Sequence, residues 1–256
     1  MKFADGKLLW VAAAILVFTA VFAAATTWAP VEKKCPLCET TDTYQEIASY
    51  GTYIYQWPSK YQMIFWPATE GDYLYTCRRC GYTAFMGDFE KLPADKIDAV
   101  KAALAGVKID GQYESYGAVP PSVKFPLAVK VYETLGRDDQ FWCLFYRVEG
   151  YQLSAEGKKE EAKAARKLAL ERAQAILAAN KDPGSRKETL VIIGSMQHFT
   201  GEDDAALKTF DEALAAEYAP AGATEDEKAN GAQYLDALAG EFKDKITKGD
   251  LTSIEL

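Results

Sequence analysis

Two pairs of cysteines, each with two residues between its members, constrain this chain more than any other feature. Cys35 and Cys38 stand in KKCPLCE, and Cys77 and Cys80 in TCRRCGY. A C-x-x-C spacing lets two thiolates of one tight turn face a single ion while backbone amides point at the sulfurs. Two such knuckles complete a tetrahedral site of four thiolates. Gly81 follows the second pair, where a residue of positive φ is commonly needed to finish the turn. The stretch between the pairs, residues 39–76, exceeds the roughly 15–20 residues of compact zinc modules, but it has room for strands. Zinc, held structurally by Cys35, Cys38, Cys77 and Cys80, is therefore the expected ion.

Other uses of the same thiols stay open at this level. An all-thiolate tetrahedron also suits iron, the lesser alternative. The Cys-Pro-x-Cys order of CPLC occurs in redox-active pairs, and disulfides would form in an oxidising compartment. A thioredoxin-like site needs a strand before its pair and a helix after it. Only PVEKK separates Cys35 from a long apolar segment, so the redox reading ranks below zinc. Cys143, in FWCLFY, has aromatic neighbours on an expected helix, the setting of a small buried hydrophobe.

Composition removes several function classes. The formal net charge is -8 and Lys and Arg occur in pairs such as Lys33-Lys34 and Arg78-Arg79, with no basic stripe for nucleic acid. The single histidine, His198, excludes two-histidine zinc fingers, HExxH metalloproteases and two-histidine iron sites by counting alone. In SMQHFTGEDD it reads as a structural residue near a helix end. Glu160-Glu161 and Asp203-Asp204 fall on a polar helix face and at a helix start, not in contrasting environments for acid and base. No residue set supports catalysis, and the expectation is a binding protein, not an enzyme.

Residues 8–29, LLWVAAAILVFTAVFAAATTWA, carry no charged side chain. A helix rising about 1.5 Å per residue needs about 20 residues to cross a bilayer, and Trp10 and Trp28 near the ends suit the interface. The expectation is a transmembrane helix, or a signal peptide cleaved after Ala23-Ala24-Ala25. The soluble part would then lie outside the cytoplasm, in the periplasm, or be secreted if the signal is cleaved.

With 256 residues the rest of the chain can build one or two cores. Residues 30–92 read as a small β domain, with strands over 51–57, 61–66, 72–76 and 82–86, the last two a hairpin around CRRC. Their aromatic stripe reads as sheet core more readily than as a ligand face. Residues 93–137 form a helical connector, with helices over 93–106 and 125–135 around a Gly- and Pro-bearing stretch. Residues 138–256 read as antiparallel helix pairs: to about 153, 158–180, 186–199, 203–217 and 225–248. Gly194, Ala206, Phe210 and Ala213 keep the offsets of the small and aromatic positions of a tetratricopeptide repeat. Gly150, Ala162 and Ala169 echo them, with Arg166 in the aromatic's place. Ordinary α-hairpin packing is the alternative.

CPLC, the Tyr-bearing run into CRRCGY, and the following Asp88, Phe89 and Leu92 together resemble a bacterial family of unknown function. In that family a CPxC pair and a CxxCGY pair precede tetratricopeptide-like hairpins. The likeness covers about residues 33–215 and implies a four-cysteine zinc ribbon fused to a helical scaffold, with no activity attached. The apolar segment departs from that pattern, whose members usually look soluble and cytoplasmic. The fold class expected is α+β: an amino-terminal transmembrane or signal helix over 1–29, a zinc-ribbon-like β domain, and helical hairpins. The function expected is protein-protein interaction as an accessory or assembly subunit of a membrane complex, reached through residues 8–29. The alternative is an extracytoplasmic thiol-redox or rubredoxin-like electron-transfer protein.

Overall fold

The computed structural model describes residues 27–49, 74–179 and 181–249. Within them two short antiparallel sheets precede a helical region, an α+β arrangement. Strand β1 (Thr27–Lys34) pairs with β2 (Thr41–Ser49), Lys34 opposite Thr41. Strand β3 (Leu74–Thr76) pairs with β4 (Thr83–Phe85), Thr76 opposite Thr83. CPLCET thus closes the first hairpin and CRRCGY the second.

The second hairpin lies where the sequence predicts one. The first does not: β1 and β2 are additional strands, and Thr27–Ala29, expected to end the apolar helix, instead open β1. The cause is local. Val31 and Lys33 are half-buried while Pro30, Glu32 and Lys34 between and beside them are exposed, the alternation of a half-buried strand. The rest of the expected membrane segment, and the strands expected over 51–57 and 61–66, lie outside the described residues. Among the described residues no helix is long and apolar enough to cross a membrane.

After β4 a 3-10 turn (Ala94–Lys96) leads into α1 (Ile97–Ala103). Helix α2 (Pro121–Leu135) starts on a proline, whose missing N–H is no loss in a first turn, and ends at Gly136. Helix α3 (Asp139–Ala155) is capped by the Asp138 carboxylate, which accepts from Phe141 N at 2.9 Å. Helices α4 (Lys159–Ala179), α5 (Arg186–Thr200), α6 (Asp203–Ala215) and α7 (Glu225–Lys248) follow. Thr224 and Glu227 form a reciprocal capping box at the start of α7.

α3 packs along α4, and α5 along α6. The small residues read from the sequence lie at these contacts. A Cβ on Gly194 would stand 2.7 Å from the Phe210 ring, and Ala206 and Ala213 are fully buried beside it. A Cβ on Gly150 would meet the Arg166 stem at 2.8 Å, so an aliphatic arginine stem occupies the place of the aromatic. Phe210 stacks on Phe242 of α7, centroids 5.1 Å apart, which closes the helical layer. Most of the buried hydrophobic residues, from Cys35 to Phe242, form one connected cluster.

Candidate metal centre

Each cysteine pair sits on the same backbone turn. In the first, Glu39 N donates to Cys35 O and Cys35 N to Thr40 O, both at 2.9 Å. In the second, Gly81 N donates to Cys77 O at 2.9 Å and Cys77 N to Tyr82 O at 2.8 Å. The fourth residue after each leading cysteine is left-handed: Glu39 at φ 62° and Gly81 at φ 77°. A Cβ on Gly81 would also lie 2.7 Å from a Val107 methyl, so glycine is required there twice over.

These turns bring Cys35, Cys38, Cys77 and Cys80 together, as the sequence predicts. Their four sulfurs all lie within 4.8 Å of one another. Cys35 Sγ is 3.7 Å from Cys80 Sγ and Cys38 Sγ is 3.5 Å from Cys77 Sγ. A metal–sulfur bond of about 2.3 Å in a tetrahedron gives sulfur–sulfur edges of about 3.8 Å. A disulfide needs about 2.05 Å. The thiols are free and spaced as ligands of one ion would be, so the residues present fit a tetrahedral metal. Cys143 is not part of this set; it is buried in α3, and burial pushes its thiol pKa up.

Backbone amides point at the sulfurs, as such knuckles require. Those of Arg79 and Cys80 face Cys77, that of Cys38 faces Cys35, and that of Tyr82 faces Cys80. The thiols titrate as a set. Cys77 is held well below the usual thiol range, first by the Cys35 and Cys80 thiols donating to it, then by its two amides, against the opposing pull of burial. Cys35 is pushed up to about 12, chiefly by its bond to Cys77. Cys80 is pushed up by Cys35 and Cys77 in turn. One negative charge is thus welcome in the cluster and the next is repelled, unless a cation arrives to displace the protons.

Beneath the sulfurs lies a layer of rings. Tyr44 of β2 is 4.6 Å from Tyr75, 4.8 Å from Tyr116 and 5.0 Å from Phe89, centroid to centroid. These rings are buried, which makes them core rather than a ligand face. Their hydroxyls serve the edge of β2: Tyr75 Oη donates to Gln45 O at 2.7 Å, and Tyr116 Oη accepts from Gln45 N at 3.0 Å. Pro30, opposite Gln45, has no N–H to offer that register.

Sequence reasoning missed Tyr44, Tyr116, Asp42 and Arg78. Arg78 Nε and Nη2 grip both Asp42 oxygens, at 2.6 and 2.8 Å, across the two knuckles. Neither residue has a local signature, since the partners are brought together by the fold. His198, read as structural, is buried at the end of α5 with Nδ1 2.7 Å from Asp203 Oδ1.

A family model described as an uncharacterized protein conserved in bacteria (DUF2225) matches residues 31–232, most of the chain, with the four clustered cysteines inside the match. No curated protein and no solved structure matches it.

Proposed function

We propose, for a chain that belongs to this bacterial family, a zinc-binding protein-protein interaction module in which the metal is structural. One observation carries the reading: four free thiols with sulfur separations close to the edge of a tetrathiolate tetrahedron. When bound, zinc supplies no chemistry beyond tying the two knuckles into one unit. Cys35, Cys38, Cys77 and Cys80 are its ligands, in the manner of a zinc ribbon. Two short hairpins bury little surface of their own, which favours a structural metal over a reactive one.

The helical part is read as a tetratricopeptide-like scaffold that presents a surface to a protein partner. The close contacts at Gly194 and Gly150 support that reading. The chain is read as an accessory or assembly subunit of a membrane complex, held through the part of the uncharged run that precedes β1, residues 8–26, with its soluble part in the periplasm. The uncharged run in that segment supports the anchoring. The same sulfur tetrahedron suits iron, which would turn the protein toward electron transfer. Zinc gives a colourless protein and iron-thiolate a coloured one. Fractionation of cells that make the full chain tests the anchoring: the protein should stay with membranes after an alkaline carbonate wash and migrate in a complex larger than itself. Release into the wash as a lone chain would contradict it.

A further inference from the structure

Arg78 stands between two of the four cysteines, at the tip of the second knuckle, and its side chain bonds to two other pieces of chain. Nε and Nη2 donate to Asp42 Oδ2 and Oδ1, and Nη1 donates to the carbonyls of Tyr113 and Glu114 at 3.0 and 2.9 Å. Asp42, the second residue of β2, is further fixed by accepting from Thr43 N at 2.9 Å. Its side chain is 16% exposed and that of Arg78 32%, so the pair is partly shielded from water and salt. A bidentate guanidinium–carboxylate fork fixes angle as well as distance. Arg79, next in sequence, is exposed and reaches Thr40 Oγ1 only at 3.4 Å.

We propose that Arg78 is the positioning residue of the four-cysteine set: it latches the second knuckle to the first hairpin so that the half-sites stay facing each other while a metal–sulfur bond is open. The inference rests on the metal-binding reading above. Residues 39–76 separate the knuckles. The Tyr44–Tyr75 ring contact and the Tyr75–Gln45 bond already hold the two hairpins together at the ring layer. The Arg78–Asp42 fork adds a tie at the knuckles themselves, so that less of the loop closure falls on the ion. A latch made only of protein groups keeps the effective concentration of the second pair of thiolates high. An ion that has let go of one cysteine is then recaptured before a chelator can take it. Arg78 touches no sulfur in this scheme; it acts through the placement of Cys77 and Cys80.

The test is metal extraction from the zinc-loaded full chain by excess EDTA, followed with a zinc-sensitive dye, beside the spectrum of the cobalt-loaded protein. Arg78→Ala should still load one metal and keep the intense bands of tetrahedral cobalt-thiolate, yet lose zinc about tenfold faster, the lower end of effects seen when groups supporting ligands are removed. Arg78→Lys, which cannot form the fork, should also release faster. Asp42→Asn should do the same, and the double variant Arg78→Ala, Asp42→Asn should be no faster than Arg78→Ala alone. Arg79→Ala should match the unaltered chain. Leu235→Ala, a destabilising cavity in α7, remote from the knuckles, controls for general loosening. An Arg78→Ala rate equal to that of the unaltered chain, or one that Leu235→Ala reproduces, would overturn the latch and leave metal binding standing. An unaltered chain that takes up neither zinc nor cobalt would overturn the metal-binding reading, and the latch with it.

Discussion

The fourth position after each leading cysteine shows how a single residue sets the site. Both knuckles need a left-handed residue there; the second has Gly81 and the first has Glu39, the one non-glycine residue at positive φ among the described residues. An L-residue in that region costs about 1–2 kcal/mol. Glu39 is exposed and its ion pair with the exposed Lys34, at 3.3 Å, is worth little in water, so backbone preference decides the effect of its replacement. Glu39→Gly should therefore stabilise the protein by up to about 1 kcal/mol, less than the local relief because glycine also gains freedom when unfolded. Gly81→Ala should destabilise by at least about 1–2 kcal/mol, since the new methyl must also displace Val107. Chemical denaturation of the loaded protein checks both, and a Gly81→Ala chain as stable as the original would refute the account of the turn. Gly81 was legible in CRRCGY because glycine advertises its conformation. Glu39 was not, because nothing in a glutamate announces a left-handed backbone.

Among the elements, the helices from α3 onward were legible to within about two residues, with Asp138 and Thr224 at their starts. α1 is shorter than the expected 93–106, and α2 starts at Pro121 instead of 125, because a proline is tolerated in a first turn. The first hairpin was not legible. TDTYQEIAS carries few apolar residues, and its fully buried ring, Tyr44, gives too little alternation to mark a strand. Within the helices the tightest test lies at the α5–α6 contact. Phe210 is fully buried against Gly194 and Phe242, so Phe210→Ala should lower stability by about 3–5 kcal/mol, read as a fall in thermal midpoint. Glu149 of α3 sets a pH dependence. Burial alone pushes its carboxyl up to about 7 from 4.5. The folded chain then holds a proton that the unfolded chain has released. Stability is full below about 4.5 and falls as pH rises to about 7, then levels. Glu149→Gln should flatten that slope and raise the thermal midpoint at pH 8 but not at pH 4. An unchanged slope would contradict the assignment.

For the molecule as a whole, the link between the cysteine hairpins and the helices decides whether a metal in one can steady the other. Tyr132 of α2 makes that link: its hydroxyl accepts from Phe85 N of β4 at 2.8 Å and donates to Asp88 Oδ2 at 3.1 Å. Arg137 donates to the same Asp88 oxygen at 2.7 Å and lies over the Tyr132 and Phe141 rings. Asp88 was singled out in the sequence beside Phe89, but its partners, more than a helix away, were not foreseeable. Tyr132→Phe should cost about 1–3 kcal/mol by leaving the Phe85 amide without its acceptor. Elemental analysis of the purified full-length protein, with thiols counted before and after chelation, decides whether the four cysteines hold a metal. A tetrathiolate site should give one zinc per chain and four thiols that become reactive when it is removed, while Cys143 stays buried. A metal-free protein whose reactive thiols do not increase on chelation would contradict such a site.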